Sequence, residues 1–156
     1  MVLLTGIVML TGVLISWNIE RRNKEFFVLY LLLLSGVFGV FVSLDLFFLF
    51  FFYELAVLPM YLLIGVWGSS TDFRTFFRSK EYGAMKLMLY LVAGSALVWV
   101  AILAVYVQAP VDGGGASFLF SILEQGQYSR DFQRVFFPMF MVGFGVLAGL
   151  WPFHTW

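Results

Sequence analysis

Three ionisable side chains stand where the neighbouring residues give them no ordinary reason to be. Glu54 lies in the run YELAVLPMYLLIGVWG (53–68), with LFFLFFF (46–52) before it and Pro59 five residues after it. Lys86 lies in AMKLMLYLV (84–92), and His154, the single histidine, lies in WPFHTW (151–156). A charged carboxylate at membrane depth costs several kcal/mol unless something compensates for it, so an intramembrane glutamate is a functional candidate by default. Pro59 removes a backbone donor and crowds the carbonyl of Leu55, which loosens the helix one turn past Glu54 and opens a way for water. The chemistry such a group supports is proton transfer. Its alternative is a neutral structural carboxyl hydrogen-bonded to a neighbouring helix. Lys86 reads either as a second proton-relay candidate or as an interfacial anchor whose ammonium snorkels to the surface. Histidine as a residue type changes charge near neutral pH, which makes His154 a proton-carrier candidate, although a histidine at a helix end also serves as an interfacial hydrogen-bonding residue.

The elements that must hold these groups are apolar. Of 156 residues, 62% are hydrophobic and only 12% charged, against about a quarter charged in soluble domains. That balance describes an all-α integral membrane protein, because lipid leaves a spanning backbone only helices or closed barrels and these runs do not alternate. Five segments approach the roughly 20 residues that cross a bilayer: 2–17, 26–43, 46–67, 82–107 and 134–151. The first is short and has no basic region ahead of it, so it reads as a retained helix rather than a cleaved leader. On this layout Glu54 sits about 12 Å into the third helix, and Glu54 and Lys86 differ in depth by roughly 14 Å, too far for a direct ion pair.

Two polar loops carry most of the basic residues. One holds Arg21, Arg22 and Lys24, the other Arg74, Arg78 and Lys80, while Arg130 is the only cation of the opposite loops. This bias places both basic loops on the cytoplasmic or matrix side and the N-terminus outside. The turn-rich stretch 109–115 leads into 117–125, a short amphipathic segment expected at the membrane surface. Asp45, in the turn before the third helix, reads as a helix cap. Gly36, Gly39, Gly94, Ser95, Gly143, Gly145 and Gly149 suit close helix packing, with Gly145 and Gly149 as a small-xxx-small pair.

Other chemistry finds no support. Zero net charge removes the electrostatic case for nucleic-acid binding. The absence of cysteine excludes disulfides and thiolate metal sites on this chain. There is no nucleotide loop, nucleophile–base pair or metal-spaced cluster. The chain stops at WPFHTW with a helix end barely completed, so a longer polypeptide is expected.

The stretches ELAVLPMYLLIGVWG (54–68) and EYGAMKLMLYLVAGS (81–95), with PFHTW (152–156), resemble the proton-translocating subunit M, or chain 4, family of NADH-quinone oxidoreductase, respiratory complex I. That family is related to the Mrp-type antiporter subunits. The resemblance implies a fragment, about a third, of a larger antiporter-like helix bundle, in the bacterial or mitochondrial inner membrane. It implies proton translocation coupled to electron transfer from NADH to quinone, with an ion-coupled Mrp-type antiporter as the alternative. It further implies that this chain binds no cofactor, that NADH, FMN, iron–sulfur clusters and quinone sit in partner subunits, and that the partners are other membrane-arm subunits and lipid. Glu54 falls on the family's proton-transfer glutamate, Lys86 on a lysine common in the next helix, and His154 on a motif histidine. One position departs: VLAGLWP (146–152) has Leu147 where the family usually has the lysine that opposes the glutamate.

Overall fold

A computed structural model describes residues 1–73, 76–109 and 117–156, with side chains except at 71–73 and 76–78. Among these residues six α-helices follow one another: α1 (Val2–Ile15), α2 (Asn23–Val42), α3 (Leu46–Trp67), α4 (Lys80–Gln108), the one-turn α5 (Phe120–Leu123) and α6 (Arg130–Ala148). Short 3-10 turns, Ser16–Asn18 and Phe153–Thr155, follow α1 and α6. α2, α3, α4 and the segment Arg130–Thr155 are long and apolar enough to cross a membrane. α1 has 14 residues, about 21 Å at 1.5 Å per residue, short of a hydrocarbon core of about 30 Å.

The helices extend beyond the apolar runs that announce them. α2 begins at Asn23 rather than 26, α4 at Lys80 rather than 82, and α6 at Arg130 rather than 134. Hydropathy marks the stretch that meets lipid, whereas backbone hydrogen bonds carry a helix on through polar turns. For α6 the start has a local cause: the Ser129 hydroxyl accepts from the Phe132 amide at 3.2 Å, an N-cap, with Asp131 in the first turn. Asp45 does the same for α3, its carboxylate accepting from the Phe47 amide at 2.8 Å. Within the polar loop expected at 68–81, the backbone forms a short antiparallel pair, β1 (Thr71–Phe73) and β2 (Phe76–Arg78). Arg74 and the stretch 110–115 lie outside the described residues.

The end of α6 corrects an expectation. The last helix stops at Ala148, not 151, because Gly149 turns left-handed at φ +70°. The Leu150 amide donates to the Gly145 carbonyl at 2.9 Å and the Gly149 amide to Val146 at 3.2 Å, the two bonds of a Schellman stop. Gly149 is therefore a helix terminator, and a side chain added at Gly145 would meet Leu150 of the same stop.

The chain forms two compact units, Met1–Ser43 with Phe48–Met85, and Leu44–Phe47 with Lys86–Trp156. In the first, Gly36 and Gly39 of α2 lie against Ala56 and Phe52 of α3, and the Tyr30 hydroxyl donates to the Met9 carbonyl of α1 at 3.2 Å. Trp67, at the end of α3, donates its indole N–H to the Arg21 carbonyl at 2.8 Å, and the Lys80 ammonium donates to the Val66 carbonyl at 2.8 Å. Residues of both basic loops thus gather at one end of α3.

In the second unit α4 buries Leu87, Leu91, Val98 and Ile102, spaced to share one stripe. α6 crosses it where glycines remove the side chains: a Cβ at Gly143 would meet Val98 and stand 2.7 Å from the Gly94 carbonyl oxygen. The segment before α5 is stapled to the turn before α3. Leu46 donates to the Phe118 carbonyl at 3.0 Å and Phe120 to Leu44 at 3.2 Å, while the Phe118 ring stacks on Tyr106 at 4.1 Å. Below that staple the Tyr128 hydroxyl donates to Leu123 at 3.1 Å, and burial raises its phenol above the ordinary range.

Gly143→Ala is expected to destabilise the protein by about 1–3 kcal/mol through this overpacking. Gly83→Ala, on the same helix as Gly94 but with open space around it, is expected to be neutral or to gain up to about 1 kcal/mol. Unfolding of the detergent-solubilised variants measures both.

Candidate functional site

Glu54 is the ninth residue of α3, about 12 Å along its axis. It is half-buried, and its Oε1 is shielded from all sides with no hydrogen-bond partner among the described residues. Val57 and Pro59 of the following turn are buried, as is Tyr53 beside it. Pro59 has no amide, so the Leu55 carbonyl lacks the bond that would close that turn. α3 runs on to Trp67 through the proline because the helix resumes its bonding beyond it. A buried carboxyl oxygen without a partner costs about 1–3 kcal/mol in an ordinary interior, and more if ionised. This atom is the one buried, unpartnered side-chain oxygen or nitrogen among the described residues.

Lys86 is the seventh residue of α4, about 9 Å from the helix start. The apolar run begins only at residue 82, so the two added residues at the start of α4, Lys80 and Glu81, are polar and leave Lys86 near the edge of the apolar stretch. Its ammonium lies 5.8 Å from the centroid of the Tyr90 ring, one helical turn on. A cation over an aromatic face is held electrostatically. Tyr90 also lines a cavity of about 570 Å³ with Gly94 and Leu97 of α4, Val146 of α6, and Pro152 and Phe153 of the terminal turn. Sequence reasoning missed Tyr90, although its four-residue offset from Lys86 was the available signal.

His154 sits exposed on the Phe153–Thr155 turn and makes no hydrogen bond among the described residues. The Gly149 stop turns the chain, and the Trp156 indole donates back to the Val146 carbonyl at 2.8 Å. Leu147, 38% exposed, presents an alkyl side chain to the outside of α6. Glu54 belongs to the first unit, Lys86 and His154 to the second. Among the described residues no cluster of three or more His, Cys, Asp or Glu has the arrangement of a metal site.

Four span-length apolar helices define a multi-pass integral membrane protein. Residues 43–156 match the model of the NADH:quinone oxidoreductase/Mrp antiporter transmembrane family, and the chain belongs to that family. It is 37% identical over 157 residues to NADH-quinone oxidoreductase subunit M of Pseudomonas aeruginosa, covering all of this chain and 30% of that one. It is 35% identical over 156 residues to NAD(P)H-quinone oxidoreductase chain 4 3 of Picosynechococcus sp., covering all of this chain and 26% of that relative. Subunit M of Rhodobacter capsulatus is 32% identical over 162 residues, with 99% and 30% covered. The chain therefore spans between a quarter and a third of the length of these relatives.

Tyr90→Leu, which removes the ring, is expected to lower stability by about 1 kcal/mol, whereas Tyr90→Phe is expected to be close to neutral. Parallel unfolding of the two variants and of their Lys86→Met combinations measures the coupling.

Proposed function

We propose that this chain is part of a membrane-arm subunit of an NADH:quinone oxidoreductase and that it takes part in moving protons across the membrane. The single observation that carries the reading is the buried, unpartnered Oε1 of Glu54 in the middle of α3. A carboxyl held there has no fixed hydrogen-bond partner to lock one protonation state. Water reaching the Leu55 carbonyl that Pro59 leaves without its helix bond, or a charge brought near by another element, then sets whether it holds or releases its proton. Lys86 and His154 are further relay stations in this reading. The names of the relatives, subunit M and chain 4 of quinone oxidoreductases, support the same assignment.

In this proposal electron transfer from NADH to quinone takes place on flavin and iron–sulfur groups of partner subunits, and this chain binds none of them. Its partners are the neighbouring membrane-arm subunits and the bilayer. A second reading, an ion-coupled Mrp-type antiporter subunit, is favoured by the family description, which joins both classes. Co-purification separates them: NADH- and quinone-reactive subunits accompany the first, antiporter subunits the second.

The site itself is tested by Glu54→Gln in the full-length, assembled protein. Proton translocation is expected to fall on the order of tenfold or more while the complex still assembles. Wild-type pumping and quinone reduction in that variant would mean that Glu54 is a structural carboxyl.

A further inference from the structure

We propose that the N-terminal face of α6 binds the headgroup of an anionic phospholipid. Arg130, Gln133, Arg134 and Phe137 line a hollow of about 470 Å³. They recur at i, i+3, i+4 and i+7 and so share one face of the helix. The hollow is a shallow surface depression, open to the headgroup region.

Two guanidiniums on adjacent turns offer planar forks of N–H donors, the geometry that phosphate oxygens accept in pairs. Arg130 has no ion pair among the described residues. Arg134 meets Asp131 only at 3.4 Å, with side chains 78% and 91% exposed, a contact too weak to neutralise it. The three charges leave one net positive, and the Gln133 side-chain amide is held aside by the Tyr128 carbonyl at 2.9 Å. Ser129 already satisfies a free amide of the helix end, so the attraction rests on the arginines.

Below the cations the same face turns apolar, with Phe137 66% and Met141 60% exposed. The order along the helix, cationic hollow then exposed apolar surface, matches a phosphate headgroup followed by an acyl chain. A second hollow, lined by Lys24, Glu25, Val28 and Leu29, lacks this character: it carries its own carboxylate, and Glu25 pairs with Arg22.

The test uses the full-length protein in phosphatidylcholine bilayers containing a minor share of phosphatidylglycerol, with each lipid spin-labelled in turn. The wild type is expected to immobilise the anionic lipid in preference to the zwitterionic one. Each arginine is expected to contribute about fivefold, so Arg130→Gln/Arg134→Gln removes most of the preference and Lys24→Gln leaves it unchanged. An unaltered preference in the folded double variant overturns the proposal. So does displacement of the labelled lipid by inorganic phosphate alone, or loss of a co-purifying acidic protein with lipid preference intact. Should the double variant fail to assemble, Arg130→Gln alone, at a position without an ion pair, is read by the same criteria.

Discussion

Hydrocarbon offers no hydrogen bonds, so a polar group carried into a membrane must find its partner within protein. The molecule obeys this almost everywhere it can be followed. Hydroxyls of Thr5, Ser35 and Ser95 donate to carbonyls of their own helices, the Tyr30 hydroxyl crosses to α1, and the Trp67 indole and Lys80 ammonium reach backbone carbonyls at the ends of helices. Glu54 is the exception, with one carboxyl oxygen shielded and unpartnered. The structure around it is firm rather than loose: α2 packs on the adjoining turns of α3 at Phe52 and Ala56, and Val57 and Pro59 are buried one turn on. The cost of the orphaned oxygen is thus borne by a well-packed helix pair, the arrangement that lets an unsatisfied group persist.

Much of the fold was legible in the sequence because lipid selects on length and polarity. α3 has the bounds its apolar run suggests, Leu46 to Trp67, since a tight turn precedes it and glycine follows. Where apolar runs and helices part company, the reason is local hydrogen bonding. Ser129 and Asp131 begin α6 four residues before its lipid-facing stretch, a capping signal readable in the sequence but outweighed by hydropathy. Gly149 shows the opposite error: a glycine read as a packing residue acts through its left-handed φ. Glycine identity does not say which of its two uses applies. The β1–β2 pair and the Leu46–Phe118 staple were not legible, because backbone pairings this short leave little trace in side-chain pattern.

The site was legible in part. Glu54 announces itself by being charged in an apolar helix, and that signal needs no structure. Lys86 is equally visible in its apolar run, but its ring partner Tyr90 went unnoticed because a tyrosine in an apolar helix looks like core. Leu147 stands where the resemblance leads one to expect a lysine. In the proposed function the remaining lysine candidate is Lys86 of α4, whose ammonium stands over the Tyr90 ring. His154 is exposed on the Phe153–Thr155 turn.

The central claim is that Glu54 gains and loses a proton during function. Infrared difference spectroscopy of the full-length protein in membranes, with Glu54→Gln assigning the band, reads this directly. The account expects the protonated-carboxyl carbonyl band of Glu54 to appear and disappear as the protein is driven through turnover. A Glu54 band that stays constant through turnover, or that is absent under every condition, would contradict it.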